Sequence, residues 1–236
     1  MTDLDRTLSE EENMPDIADY IDATLLRPDA TKEEIIRLCT QAKDHEFAAV
    51  CINPSRLELA AAELKWSPVA LCTVIGFPLG AAPPQLKLTE MEWALNAGAR
   101  EIDMVMNIGW FKDKEYIAVA EEIRLAARLV KEHGALLKVI VETALLDREE
   151  LRRAAIVVRE GGADFIKTST GFASRGVSLE DLQVIQDAIG KDIKIKASGG
   201  IKTHDFAIKL IRAGADRLGS SSPIELLGVW DRTEED

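Results

Sequence analysis

The stretch "EGGADFIKTSTGF" (residues 160–172) joins a glycine pair that ends a helix to an apolar run that reads as a strand, then to a polar, glycine-containing loop. The same join recurs as "NAGAREID" (96–103) and "RAGADRLG" (212–219). Their uneven spacing marks a repeated βα unit rather than a solenoid. Working outward, strand-like runs appear at 20–24, 48–52, 69–75, 101–106, 136–142, 164–169, 193–198 and 216–220, with amphipathic helical segments between them. Thr31 with Glu34, Ser55 with Glu58 and Asp147 with Glu150 have the spacing of capping boxes. Val119, Ile123, Ala126 and Val130 recur at helical spacing and predict a core-facing stripe. Regular alternation implies parallel strands with right-handed crossovers. Eight units in this length predict a single-domain α/β fold, a (β/α)8 TIM barrel over residues 14–228. An open dinucleotide-binding sheet is the competitor, but no G-x-G-x-x-G follows an early strand. Residues 1–13 carry five acids and one Arg without an apolar period and predict a disordered, solvated tail before a short helical, acidic extension. Residues 229–236 read as a C-terminal tail.

The chain has 236 residues, 47% of them apolar, enough for a sizeable core. Twenty-nine basic residues against 41 acidic ones give a net charge of −12, which argues against a nucleic-acid partner. No apolar run approaches the ~18 residues of a membrane span. Cys39, Cys51 and Cys72 have no metal or redox spacing and cannot all pair, so a reducing, cytoplasmic setting is expected.

Lys167 is anomalous inside its strand, and Lys194 and Lys196 repeat the anomaly in the next one. A buried lysine is rare without a partner and tends to lose its proton. Taken singly, a strand lysine more often snorkels to water and a strand-end Asp more often caps a turn. Adjacent strands that present lysine against lysine are harder to dismiss. A free lysine, with a pKa of about 10.4, is a neutral amine only about once in a thousand at neutral pH. Lowering that pKa to ~7 costs on the order of 4–5 kcal/mol, and the return is an amine that can attack a carbonyl. Lys167 is therefore the candidate nucleophile, Lys196 the neighbouring cation, and Asp103 the proton-transfer partner.

The loops "STGF" (169–172), "SGGIKT" (198–203) and "GSSS" (219–222) are small and polar and lead toward helix starts, as phosphate-binding turns do. Lys202 stands beside one of them. The three histidines, His45, His133 and His204, fall at no strand's C-terminal end, so neither a metal site nor a Ser–His or Cys–His nucleophile is expected.

At these residues the sequence resembles the deoxyribose-phosphate aldolase family. The motifs are "DATLLRPDAT" (22–31), "CINPS" (51–55), "VIGFPLG" (74–80), "EIDMVMN" (101–107), "LLKVIVET" (136–143), "ADFIKTSTGF" (163–172), "KASGGIKT" (196–203) and "AGADRLGSSS" (213–222), in family order. The resemblance implies a class I aldolase on a (β/α)8 barrel, acting without a cofactor on 2-deoxy-D-ribose 5-phosphate. It implies Lys167 as the Schiff-base lysine and Asp103 and Lys196 as the proton relay. Phosphate contacts from Gly171, Gly199, Gly200, Gly219, Ser221 and Ser222 are implied likewise, as is a homo-oligomer, dimer or larger. Three features depart from the family pattern: Ala23 replaces a usual His, "GFASRGVS" replaces a loop richer in Gly and Pro, and the ending "GVWDRTEED" has no Tyr. Rival readings are a lysine aldolase for another phosphosugar or a keto acid, with Arg175 as the candidate carboxylate clamp, and a sugar-phosphate sensor without turnover.

Overall fold

The computed structural model describes residues 16–228; the predicted tails at 1–13 and 229–236 lie outside them. Eight strands form a closed barrel: β1 (Ile21–Leu25), β2 (Ala49–Ile52), β3 (Ala70–Ile75), β4 (Glu101–Val105), β5 (Leu136–Ile140), β6 (Phe165–Lys167), β7 (Lys194–Ser198) and β8 (Arg217–Ser220). Each pairs in parallel with the next, and β8 closes on β1. A 3-10 turn, Ile17–Tyr20, leads into β1. The connecting helices are α1 (Lys32–Asp44), α2 (Leu57–Glu63), α3 (Pro84–Asn96), α4 (Ile108–Lys112), α5 (Tyr116–Glu132), α6 (Arg148–Gly161), α7 (Leu179–Ile189), α8 (His204–Arg212) and α9 (Pro223–Leu226).

Local sequence explains most of these boundaries. Thr31 and Asp147 make full capping boxes with Glu34 and Glu150 at the starts of α1 and α6. Gly162, at φ 82°, closes α6 in the left-handed conformation that glycine adopts without steric cost. The box expected at Ser55 and Glu58 does not form. Pro54, with its fixed φ and missing N–H, instead starts a 3-10 turn (Pro54–Arg56), and α2 begins after it with no side-chain cap.

The main apolar core is a shell between the strands and the helices; a second, smaller cluster of Ala49, Cys51, Cys72 and Val74 with Leu26 lies on the inward face of β2 and β3. Outward residues such as Ala23, Val50, Leu71, Ile102, Ile166 and Ile195 are fully or almost fully buried in the shell. Ala23, where the resembled family carries His, is fully enclosed within this shell. The stripe Val119, Ile123, Ala126 and Val130 of α5 is buried as its spacing predicts. One charged pair crosses the shell. Lys87 of α3 meets Glu122 of α5 at 2.8 Å with both side chains buried, and its ammonium also donates to Val105 O at 2.8 Å.

Inside the barrel the chemistry reverses. Branched apolar side chains usually fill this space. Here alternation turns Asp22, Glu101, Asp103, Lys138, Lys167, Lys196 and Arg217 inward, where they form one ion-pair network. Arg217 clamps the lower end, bonding Asp22 and, at 2.8 Å, Glu101. Burial alone would raise the Asp22 pKa, but Lys196, Lys138 and Arg217 outweigh it and bring it down to about 2.

Two outcomes are expected. Lys87→Met strands the Glu122 carboxylate in the shell and should cost about 3–5 kcal/mol in urea unfolding, whereas Lys87→Met with Glu122→Leu should cost less. The second concerns acid. A carboxylate whose folded pKa lies below its unfolded value of ~3.9 stabilises the fold above that value and loses its contribution as pH falls toward the folded one. The urea midpoint should therefore drop between about pH 4 and pH 2, and Asp22→Asn should flatten that drop.

Candidate active site

The register of neighbouring strands assembles the upper half of the network. Lys167 pairs with Lys196 across β6 and β7, and Asp103 pairs with Lys138 across β4 and β5. Lys167 Nζ donates to Asp103 Oδ2 at 2.8 Å, and Lys196 Nζ donates to the same oxygen at 2.7 Å. Lys138 Nζ takes Oδ1 at 3.0 Å. One carboxylate thus serves three lysine amino groups, all buried. Burial alone would push the Asp103 pKa up, but Lys138, Lys167 and Lys196 together hold it well below the usual carboxylate range. Burial alone would likewise lower the Lys196 pKa, but Asp103 and Asp22 raise it, so Lys196 is an ammonium. Lys138 is held protonated in the same way, chiefly by Asp103.

Glycine makes room for this. A Cβ at Gly219, facing inward from β8, would stand 3.3 Å from Lys196 Cε and 3.0 Å from Ser198 Cβ. Above the network lies a cavity of about 380 Å³, within the range of small-molecule sites. It is walled by the end of β1 (residues 24–27) and by the loops that follow β6, β7 and β8. Lys167 is the one lysine of the network that lines it; Asp103 and Lys196 lie beneath.

The residues expected to hold phosphate gather on one side. Gly171, Gly199, Gly200, Gly219 and Ser221 all line the cavity. Among the described residues, the N–H groups of Gly171, Gly199, Gly200 and Ser221 have no acceptor. Ser222 stands behind this wall as the residue before α9, with its N–H donated to Ser220 Oγ at 3.1 Å. Lys202 lines the cavity and is exposed, so a cation is available to an anion there. The loops after β6 and β7 meet backbone to backbone: a Cβ at Gly176 would lie 1.9 Å from Gly199 O.

Arg175, the candidate clamp for a keto acid, is engaged elsewhere. It bonds the Asp181 carboxylate at 2.6 and 3.1 Å and Thr143 O at 2.9 Å, outside the cavity lining. None of the three histidines lines the cavity; His204 bonds Leu226 O and His133 bonds Leu129 O.

Some contributors were not singled out from sequence. Asp22, Glu101 and Arg217 complete the network, and strand alternation was the available signal, since each lies two residues from Thr24, Asp103 or Gly219. Thr168 and Ser198 were also missed. Ser198 N–H donates to Thr168 Oγ1 at 3.0 Å and Ser198 Oγ–H to Ser169 O at 2.7 Å, pinning the exits of β6 and β7 together.

Comparison with known proteins agrees with this geometry. Residues 17–229 match the family described as DeoC/LacD family aldolase. The deoxyribose-phosphate aldolase of Desulfitobacterium hafniense (strain DSM 10664 / DCB-2) is 47% identical over 213 residues, covering 90% of this chain and 98% of the relative. That of Thermococcus kodakarensis is 46% identical over 217 residues, covering 91% and 97%. Among solved structures, the tetrameric deoxyribose phosphate aldolase of Aeropyrum pernix superposes with a TM-score of 0.84 at 36% identity, covering 90% of this chain and 89% of that one. With the match running from the turn before β1 to beyond α9, this chain belongs to the DeoC/LacD family of aldolases.

Proposed function

We propose that this chain is a class I aldolase that reversibly cleaves 2-deoxy-D-ribose 5-phosphate to D-glyceraldehyde 3-phosphate and acetaldehyde through a Schiff base on Lys167. The observation that carries this reading is Lys167 Nζ at the cavity floor, sharing Asp103 Oδ2 with the Lys196 ammonium. Charge balance supports it. The network sets three carboxylates against four cations, so it is neutral when one cation gives up its proton. Lys138, Lys196 and Arg217 each contact at least two carboxylates, whereas among the described residues Lys167 contacts Asp103 alone, on an oxygen it must share. Lys167 is therefore the cation with least to lose.

The neutral amine adds to C1 of the open-chain aldehyde, and loss of water gives an iminium. The iminium accepts electrons as the C2–C3 bond breaks, while the C3 hydroxyl gives up its proton. Glyceraldehyde 3-phosphate leaves, and a two-carbon enamine remains on Lys167. Protonation of that enamine at C2 and hydrolysis release acetaldehyde and the amine. Asp103 and Lys196 relay the protons. Lys196, charged and next to the nucleophile, is the donor, and Asp103 holds both amines in place. The amides of Gly171, Gly199, Gly200 and Ser221, which have no acceptor among the described residues, together with Lys202 hold the phosphate and so position C1 over Lys167. These steps need no metal or organic cofactor.

The same reading extends to assembly and setting. Self-association as a dimer or larger is supported by the tetrameric Aeropyrum relative and by exposed Trp66, Trp93 and Ile117. Three free, buried thiols suit a reducing cytoplasm. Among the described residues no helix is long and apolar enough to cross a membrane.

Acetaldehyde with borohydride should leave a single ethyl group on Lys167; an adduct on another lysine sinks the assignment. Lys196→Gln should lower kcat by about 10²–10⁴-fold, the usual worth of a positioned proton donor. A coupled assay for glyceraldehyde 3-phosphate should be indifferent to a chelator, and activity lost to chelation and restored by a divalent cation would contradict the mechanism.

A further inference from the structure

Three buried carboxylates lie outside the network: Glu122 and Asp181 pair with Lys87 and Arg175, while Glu142 has no ion pair among the described residues. Glu142 follows β5 at the barrel mouth and is 3% exposed. Its backbone is left-handed, with φ 56° and ψ 75°, a conformation that L side chains avoid and that glycine or asparagine would adopt at less cost. One of its oxygens, Oε1, is buried without a hydrogen-bond partner among the described residues. A strained backbone and an unmatched buried oxygen at one residue point to a use for that side chain.

The other oxygen shows the use. Glu142 Oε2 accepts the Thr170 N–H at 3.1 Å and also the Thr170 hydroxyl. The Thr170 Oγ1 in turn accepts the Phe172 N–H at 3.0 Å. The amides of residues 170 and 172 are thus both taken, and the one between them, at Gly171, is left without an acceptor among the described residues. Gly171 has φ 87°, has nothing within 4 Å of where a Cβ would be, and lines the cavity.

The Glu142 turn is itself locked to the exit of β6. Val141 N–H donates to Lys167 O at 3.0 Å, Thr143 N–H to Thr168 O at 2.9 Å, and Arg175 holds Thr143 O at 2.9 Å. The exit of the strand that carries the nucleophile and the loop after it are therefore tied to one turn, residues 141–143.

We propose that Glu142 is a positioning residue for phosphate recognition: acting through Thr170, it fixes the loop so that the Gly171 N–H points at the substrate's 5-phosphate. The role rests on the aldolase reading above and adds to it a residue that touches no substrate. Hydrogen bonds to a carboxylate are the strong kind, which suits a side chain that must hold a loop against the pull of a bound anion.

The test compares kcat/KM for 2-deoxyribose 5-phosphate with that for unphosphorylated 2-deoxyribose. Glu142→Gly removes the carboxylate while keeping the left-handed backbone. The preference for the phosphorylated sugar should fall about ten- to a hundredfold, mostly through KM, the worth of one hydrogen bond to a charged group. Glu142→Gln, whose amide oxygen can still accept from Thr170, should keep the preference within about threefold. Thr170→Val, which leaves the backbone and the carboxylate intact, should lower the preference in the same direction and serves should Glu142→Gly not fold. A merely structural role would weaken both sugars alike. Equal losses on the two substrates, or equal damage from Gln and Gly, would overturn the proposal. A wild-type enzyme that shows no preference for the phosphate overturns the substrate reading, and this role with it. A wild-type preference that survives in Glu142→Gly and Thr170→Val overturns the positioning role alone.

Discussion

Three lysine amino groups converge on the buried carboxylate of Asp103 beneath the cavity. An isolated charge there would cost several kcal/mol, so the arrangement stands only because every member is matched to another. This constraint reaches far into the chain. It requires Lys138, Lys167 and Lys196 to leave three successive strands on the same face, which the pairing provides: Lys167 lies opposite Lys196, and Lys138, opposite Phe165, stands two residues lower. It requires a second layer of anions, Asp22 and Glu101, and a cation beneath them, Arg217, to keep the sum of charges small. It also requires a bare α-carbon at residue 219, beside the stem of Lys196.

Much of this was legible in the residues, and what was not has identifiable physical causes. Strand positions followed from β-branched runs between glycine-marked helix ends, and all eight fall within two residues of expectation at their starts. Lys167, Lys196 and Asp103 stood out because a charge inside an apolar strand is costly. Which cation meets which anion could not be read, because partners come from different strands and depend on the stagger of the closed barrel, a property of the whole sheet. Asp22 and Arg217 lie 195 residues apart in sequence and form an ion pair. Lys87 and Glu122 stayed hidden for another reason: on helices of mixed composition a charged residue reads as surface, and only the packing of α3 on α5 encloses them. At Ser55 a correct spacing misled because Pro54, one residue earlier, decided how the turn begins.

The glycine- and serine-lined side of the cavity follows a different logic from the lysine side. The lysines are fixed by strands and by one another. The anion site proposed above would be built from main-chain amides on three loops, and amides can be aimed only by controlling φ and ψ. The means are local: left-handed glycines at 171, 199 and 200, contact too close for any side chain between residues 176 and 199, and side chains that occupy neighbouring amides so that selected ones stay free. Ser220 does this for residue 222, and Thr170 for residue 172.

The separation of the oily shell from the ionic lumen has one more implication. Because most of the greasy contacts that hold the chain together lie on the helix side of the strands, cohesion and reactivity are largely written on alternate residues of the same segments. Evolution, or an engineer, can therefore rewrite the inward letters, provided charged partners change together, to alter what the tube does while leaving intact the outward letters that pack it.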